Sequence, residues 1–360
     1  MRKDEYGFDS QKLIYHPERV AQWLKDPFSV YPIYVEIAPT NNCNHRCTFC
    51  GCDFLGYKKV FLRTTVLLER LTEMAKLGIK SIMYAGEGEP LLHKDIAEII
   101  LHTKKTGIDV AITTNGVALT RKLSENILGS LSWIKVSIDA GTKKTYSQIH
   151  GCPENHFEIV LKNLEAAVKI KEKNKYDCTI GTQMILLPEN RGEASILARK
   201  VKSIGVDYLV IKPHSQYPLS ITKKYKDLIY FSDDLENLEK QMEGISDCKF
   251  QAVVRKHTME KLRSEGRGYD KCLAVPFFWT YLDSAGNVWS CSVYLTNPRF
   301  LCGNIYENSF KEIWQGESRR KNMELLKELD VSRCRKNCRM DESNRYLWLL
   351  KNPPKHVNFP

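Results

Sequence analysis

The chain has 360 residues, 42% hydrophobic and 27% charged, with a net charge of +11, a normal globular balance that allows one large unit and a smaller one. No apolar run approaches the roughly 18 residues that span a bilayer. The start MRKDEYGFDSQKLIYHPERV lacks an apolar signal core, so no membrane partner and a cytoplasmic location are expected. The positive charge is spread out and does not alternate with aromatics. That disfavours nucleic acid and leaves a basic pocket for a phosphorylated or nucleotide-linked substrate beside a plain soluble basic surface.

Residues 1–32 read as a leader with one helix and a turn. Short, continuous apolar runs follow at 33–39, 81–86, 109–116, 133–140, 179–188 and 208–215, each closed by Gly, Pro, Asn or Asp, as buried parallel strands are. Amphipathic segments at 64–78, 93–107, 155–174 and 191–205 predict helices between them, the first two ending in Lys and Gly. The pattern predicts an α/β fold over 33–220, a partial (β/α)6 barrel with its chemistry at the C-terminal ends of the strands. Residues 221–260 read as a charged helical connector ending in the strand-like CKFQAVVRKH. From 261 to 345 the composition turns to Gly, Cys and aromatics, predicting a small second domain with a hairpin turn at DSAGNVW, and 346–360 read as a polar tail.

Twelve cysteines in such a chain need a reason, and disulfides are not expected in a reducing compartment. NNCNHRCTFCGCDF sets Cys43, Cys47 and Cys50 at C-x3-C-x2-C just after the first strand. Clustered thiolates select zinc, copper(I) or iron–sulfur centres. Three thiolates suit a [4Fe–4S] cube with one iron left open for a further ligand, because Cys52 follows Cys50 too closely to hold another corner. Spacing alone leaves zinc, with His45 as a ligand, and chance as alternatives.

The triplet, with Phe49 before its last cysteine, resembles the signature of the radical S-adenosylmethionine (SAM) enzymes, and the resemblance runs from residue 33 to about 220. GEGEP ends the second strand where that family binds the amino group of SAM. This assigns Gly86, Gly88 and Glu89 to SAM, with Glu87 standing where a glycine is more usual. Ser137 and Asp139 in VSIDA match positions facing the SAM ribose and carboxylate. Gln183 is placed near SAM, and Asn115 near SAM or substrate. The resemblance implies a 5′-deoxyadenosyl radical that abstracts hydrogen from the substrate, and a reducing partner such as flavodoxin or ferredoxin. Read without it, Asp139 is a helix cap, Asn115-Gly116 a turn, Glu89 a loop carboxylate and Phe49 a packing residue.

Cys272, Gly286 and Cys291 form C-x13-G-x4-C, and Cys334 and Cys338 stand at C-x3-C. These resemble the SPASM and Twitch auxiliary domains of some radical SAM enzymes, the shorter Twitch form fitting better. The resemblance implies that the four thiolates ligate a second, auxiliary [4Fe–4S] cluster; structural zinc is the alternative. Cys302 is left outside the set, and Cys152, Cys178 and Cys248 read as thiols without a role. A fully ligated cluster moves electrons, which favours oxidation of a C–OH to a ketone, with epimerisation as the related outcome. Only about 32 residues precede the first strand, which argues against a leader-peptide-binding domain. The expected substrate is therefore a sugar, sugar nucleotide or aminocyclitol. Lys212 and His214 in IKPHSQYP, at the barrel mouth, are the candidate catalytic bases. A peptide- or RNA-modifying radical enzyme and a non-catalytic zinc-binding interaction protein are the competing classes.

Overall fold

A computed structural model of the chain describes residues 6–7, 11–264 and 266–359; parts of the expected leader and the last residue of the expected tail lie outside them. Among the described residues ten strands form one sheet: β1 Tyr34–Ile37, β2 Ser81–Tyr84, β3 Asp109–Thr114, β4 Trp133–Ser137, β5 Thr179–Leu186, β6 Tyr208–Pro213, β7 Gln251–Val254, β8 Trp279–Leu282, β9 Asn287–Trp289 and β10 Leu301–Asn304. The helices are α1 Pro17–Lys25, α2 Thr64–Lys76, α3 Ile96–Lys105, α4 Arg121–Ile127, α5 Lys143–His150, α6 Asn155–Asn174, α7 Ala194–Ile204, α8 Ser232–Ile245, α9 Lys256–Lys261, α10 Phe310–Gln315, α11 Glu317–Lys327 and α12 Asp341–Lys351. No described helix is long and apolar enough to cross a membrane.

The strand order is β10-β9-β8-β1-β2-β3-β4-β5-β6-β7, parallel from β8 through β7 and antiparallel at β8–β9–β10. The six expected strands lie in chain order. The strand-like end of the expected connector forms a seventh strand, β7, paired in parallel with β6. β8 lies in parallel beside β1, matching Tyr34 with Trp279 and Ile37 with Leu282, so the C-terminal cysteine region shares its sheet with the barrel. The β8–β9 turn needs Gly286. Its φ is +86°, and a Cβ there would stand 2.7 Å from the Tyr306 ring.

Alternation along the strands separates a dry face from a wetter one. In β4, Ile134 and Val136 are fully buried against the helices, while Trp133, Lys135 and Ser137 on the other face, toward the barrel interior, are only half-buried. At Gly181 a Cβ would fall within the Tyr208 ring, which fills that part of the interior.

A second apolar core joins the leader to the C-terminal region: Leu13, Val20, Trp23 and Val30 pack with Phe278, Trp279, Trp289, Leu326 and Leu347. Arg319, fully buried, fastens this seam. Its guanidinium donates to the carbonyls of Phe28 (3.1 Å), Val30 (3.2 Å), Pro276 (3.2 Å) and Trp314 (2.9 Å). Trp314 Nε1 adds a bond to the Val30 carbonyl at 2.7 Å. An Arg319→Met substitution strips donors from four carbonyls in a dry core. Urea denaturation is expected to show a loss of about 3 kcal/mol or more. A loss within experimental error would mean the seam is held by apolar contact alone.

Candidate active site

The loop after β1 carries the cysteine triplet and is pinned by short polar side chains. Thr40 Oγ1 donates to the Val60 carbonyl (2.6 Å) and accepts from Asn42 N–H (3.0 Å), and Arg46 donates to the Cys43 carbonyl (2.7 Å). Two further segments clasp it. The end of α5 accepts from Arg46 N–H and Thr48 N–H through the His150 and Ile149 carbonyls, each at 2.9 Å. From the loop after β6, Ser220 Oγ donates to the Cys50 carbonyl (2.9 Å) and Thr222 Oγ1 to the Thr48 carbonyl (3.1 Å).

The three thiols are mutually close enough to repel as thiolates. Burial first, then Cys50 and Cys43, push the Cys47 thiol well above its ordinary range. Burial first, with Glu89 and Cys50 adding to it, holds Cys43 at about 11. Thiols in that condition favour a bound cation that draws off their negative charge. His150 faces the same group. Its Nε2 lies 3.2 Å from Asp139 N and 3.3 Å from Asp139 Oδ2, and its Nδ1 lies 3.4 Å from Cys47 Sγ. His45, Cys47 and His150 also place ligand atoms within 4.8 Å of one another, but this group shares only Cys47 with the triplet.

GEGEP packs directly on the loop. Glu89 N–H donates to the Asn42 carbonyl (2.8 Å), and a Cβ on Gly88 would meet that carbonyl oxygen. Gly86 has φ +114° and lies against Ala38 and Tyr281. The buried Glu89 carboxylate accepts from Leu91 N–H (3.1 Å), Thr114 Oγ1 (2.5 Å) and Asn115 N–H (2.6 Å), so it ties β2 to the end of β3. Asn115 Nδ2 donates to Asn44 Oδ1 inside the cysteine loop (2.7 Å). Glu87 turns away to accept from Ser284 Oγ (2.5 Å) and N–H (3.3 Å); burial and Asp283 raise it to about 7.

Ser137 and Gln183 are cross-strand neighbours on β4 and β5. Asp139 is fully buried and raised by burial to about 7, although its Oδ1 accepts from Ile185 N–H (2.5 Å). The Phe49 ring meets His150 edge-on at 6.0 Å. Lys212 is half-buried, and burial together with Lys135, Arg335 and Arg255 drives it well below the ordinary lysine range. His214 packs its ring against Tyr225 at 5.5 Å, and its Nε2 lies 3.4 Å from Gln216 Oε1. Burial first, then Cys50, push the Cys52 thiol well above its ordinary range, so Cys52 lies beside the triplet, with Glu87, Glu36 and Arg335 also around it.

In the C-terminal region Cys272, Cys291, Cys334 and Cys338 line one cavity. Donors point at these sulfurs: Tyr294 Oη is 3.3 Å from Cys334, Met340 N–H 3.4 Å from Cys338, and Asn344 Nδ2 3.7 Å from Cys272. Burial, then Cys338, lifts Cys272 to about 12. Four thiols in one largely apolar cavity, ringed by N–H and O–H donors, fit a fully protein-held cluster. Cys302 packs in the main barrel core with Val288, Ile305 and Trp314, away from that cavity.

Sequence reasoning missed the charges of the barrel interior. Glu36 of β1 pairs with Arg339 at 3.0 Å, and Arg335 Nε donates to Ser215 Oγ at 3.1 Å. Both arginines adjoin cysteines in CRKNCR, and Lys135 sits mid-strand in WIKVS; an ionic residue inside an apolar strand was the available signal.

Residues 37–201 match the family model described as the radical SAM superfamily, and residues 272–339 match SPASM, an iron–sulfur cluster-binding domain. The GTP 3′,8-cyclase of Chlorobaculum tepidum is 35% identical over 144 residues, 39% of this chain and 43% of that protein. The AdoMet-dependent heme synthase of Methanosarcina barkeri is 24% identical over 289 residues, 77% of this chain and 80% of that protein. The chain spans about half or less of the length of the cyclases it matches. SuiB of Streptococcus suis bound to S-adenosylmethionine shares the fold, with a TM-score of 0.61 at 17% identity, covering 86% of this chain and 72% of that one. The cofactors of this pair of domains are S-adenosylmethionine and two [4Fe–4S] clusters, and both sets of thiols fit them. The chain carries a radical SAM domain over residues 37–201 and a SPASM iron–sulfur cluster-binding domain over residues 272–339.

Proposed function

We infer that this chain abstracts hydrogen from a hydroxylated small molecule, a sugar, sugar nucleotide or aminocyclitol, and oxidises its C–OH to a ketone or inverts the carbon. When bound, SAM and the two clusters supply a hydrogen-atom acceptor and an electron acceptor. The protein's own part is to hold the substrate, exclude water and take a proton. Lys212 suits that last role. It lies near Asp139, its surroundings favour the neutral amine, and no carboxylate stands within ion-pair distance of it among the described residues. His214, packed on Tyr225 and facing Gln216, is the second candidate. The observation carrying the reading is the cavity lined by four protein thiols beside the barrel, a place for electrons to go. The relatives named GTP 3′,8-cyclase add support for a nucleotide-linked substrate, and a flavodoxin or ferredoxin is the proposed reductant.

Deuterium tracing tests it. With a set of sugar nucleotides deuterated at their carbinol carbons, transfer of label into 5′-deoxyadenosine with a ketone product is expected. Solvent deuterium gained at an inverted carbon assigns epimerisation instead. Formation of 5′-deoxyadenosine that depends strictly on a peptide or a tRNA would overturn the small-molecule reading.

A further inference from the structure

Basic side chains from separate parts of the chain gather at the barrel interior. Lys135 projects from β4, on the same strand face as Ser137 and two residues before it. Arg339 reaches in from the second cysteine pair and lies over Tyr34, 5.8 Å from the ring centroid. Arg335, four residues earlier, lies 5.2 Å from the ring centroid of Tyr217. Arg255 follows β7 directly. Among the described residues three carboxylates stand near them: Glu36, already paired with Arg339 at 3.0 Å, Asp139, tied to Ile185 N–H, and Glu87, held by Ser284 Oγ. Among the described residues Lys135 has no carboxylate within ion-pair distance; its ammonium lies only over the Trp133 ring, 5.5 Å from the centroid.

These groups keep part of their surface accessible. Arg339 is ringed by Tyr34, Glu36, Tyr281 and Cys338, yet its side chain keeps 47% of its accessible surface. Lys135 and Arg255 are likewise half-buried. Burial, with Arg339 and Arg255 nearby, lowers Lys135 to about 8, the cost of gathering like charges in a confined place. A bound anion removes that cost, and guanidinium forks with an ammonium suit the oxygens of phosphate or carboxylate.

We propose that Lys135 and Arg339, flanked by Arg335 and Arg255, bind an oxyanion of the substrate, a phosphate or carboxylate group, inside the barrel. This rests on the reading of the barrel as the substrate chamber. The anion is the handle: held near Lys135, it leaves the reacting carbon toward the strand ends, where Ser137 and the cysteine loop lie. Because Arg335 and Arg339 adjoin Cys334 and Cys338, the auxiliary domain supplies part of the substrate site as well as a cluster.

The test is calorimetric titration of the reconstituted holoenzyme with SAM present, using inorganic pyrophosphate and malonate as probes. Saturable binding of at least one is expected, weakened by added salt, and the tighter probe names the source as phosphate or carboxylate. Lys135→Met and Arg339→Met are each expected to weaken it tenfold or more. Lys135→Arg is expected to retain it, and the exposed Lys122→Met to leave it unchanged. No saturable binding of either probe, or binding unaffected in both K135M and R339M, overturns the proposal. SAM cleavage measured on the same samples keeps the two readings apart. Cleavage without anion binding sinks only this inference, and anion binding without cleavage sinks the radical reading.

Discussion

Replacing Cys43, Cys47 or Cys50 singly with alanine is expected to reduce reductive SAM cleavage by about a thousandfold or more, each variant falling as far as the triple variant, because groups that act as a unit lose their function together. The geometry is the reason. These three sulfurs of the β1 loop act on one another, and the loop is clasped by the end of α5 and by Ser220 and Thr222. The clasp consists of bonds to main-chain carbonyls, so the loop keeps its place without any one thiol. Circular dichroism should show a folded protein, while iron analysis shows half of the wild-type content. Cys248→Ala, on an exposed cysteine, is the control and is expected to keep full iron. A variant of the triplet that retained its iron and its cleavage would disprove the assignment, as would wild-type protein carrying zinc in place of iron.

Cys334→Ala and Cys338→Ala are expected to separate two activities. Iron again falls to half, and cleavage of SAM without substrate stays within about threefold of wild type, while product formation drops by about a hundredfold or more. The first three thiols stand on the β1 loop, outside the lining of this cavity. Cys272→Ala adds a sharper comparison. It empties the same cavity but sits far in sequence from Arg335 and Arg339. It should lower turnover with a smaller rise in KM than Cys338→Ala, whose loop carries both arginines. Equal KM values across the three variants would show that the loop's arginines do not contribute to binding substrate.

Much of this architecture is legible in the sequence because it is local. Each parallel strand is a short apolar run with a stop residue, each crossover helix has its own 3.6-residue period, and the thiol sets declare themselves by spacing. DSAGNVW reads as a turn because Asp283 and Gly286 are turn residues for stated reasons, the carboxylate binding main-chain N–H groups and the glycine taking φ +86°. What cannot be read is non-local. Nothing in WTYL says that it will lie beside β1, and nothing in HPERVAQWLK says that Trp23 will enter the core of a region some 250 residues away. Lys135 in WIKVS looks like the outward residue of a half-exposed strand. Only closing the sheet toward a barrel turns that outward face inward. Arg335 and Arg339 look like ordinary charges around cysteines until the fold aims them at Ser215 and Glu36.

The pairing of β8 with β1 bears on biogenesis. While the polypeptide is still emerging from the ribosome, β1 has one neighbour at most, and its other edge stays uncovered until Trp279–Leu282 has been synthesised. The β1 loop follows that edge immediately, so its thiols are displayed on a half-built sheet until β8 has been made. Delivery of iron and sulfide to them is thus best timed after β8 has joined the sheet, and a nascent chain stalled before β8 would be a natural client for a holding chaperone.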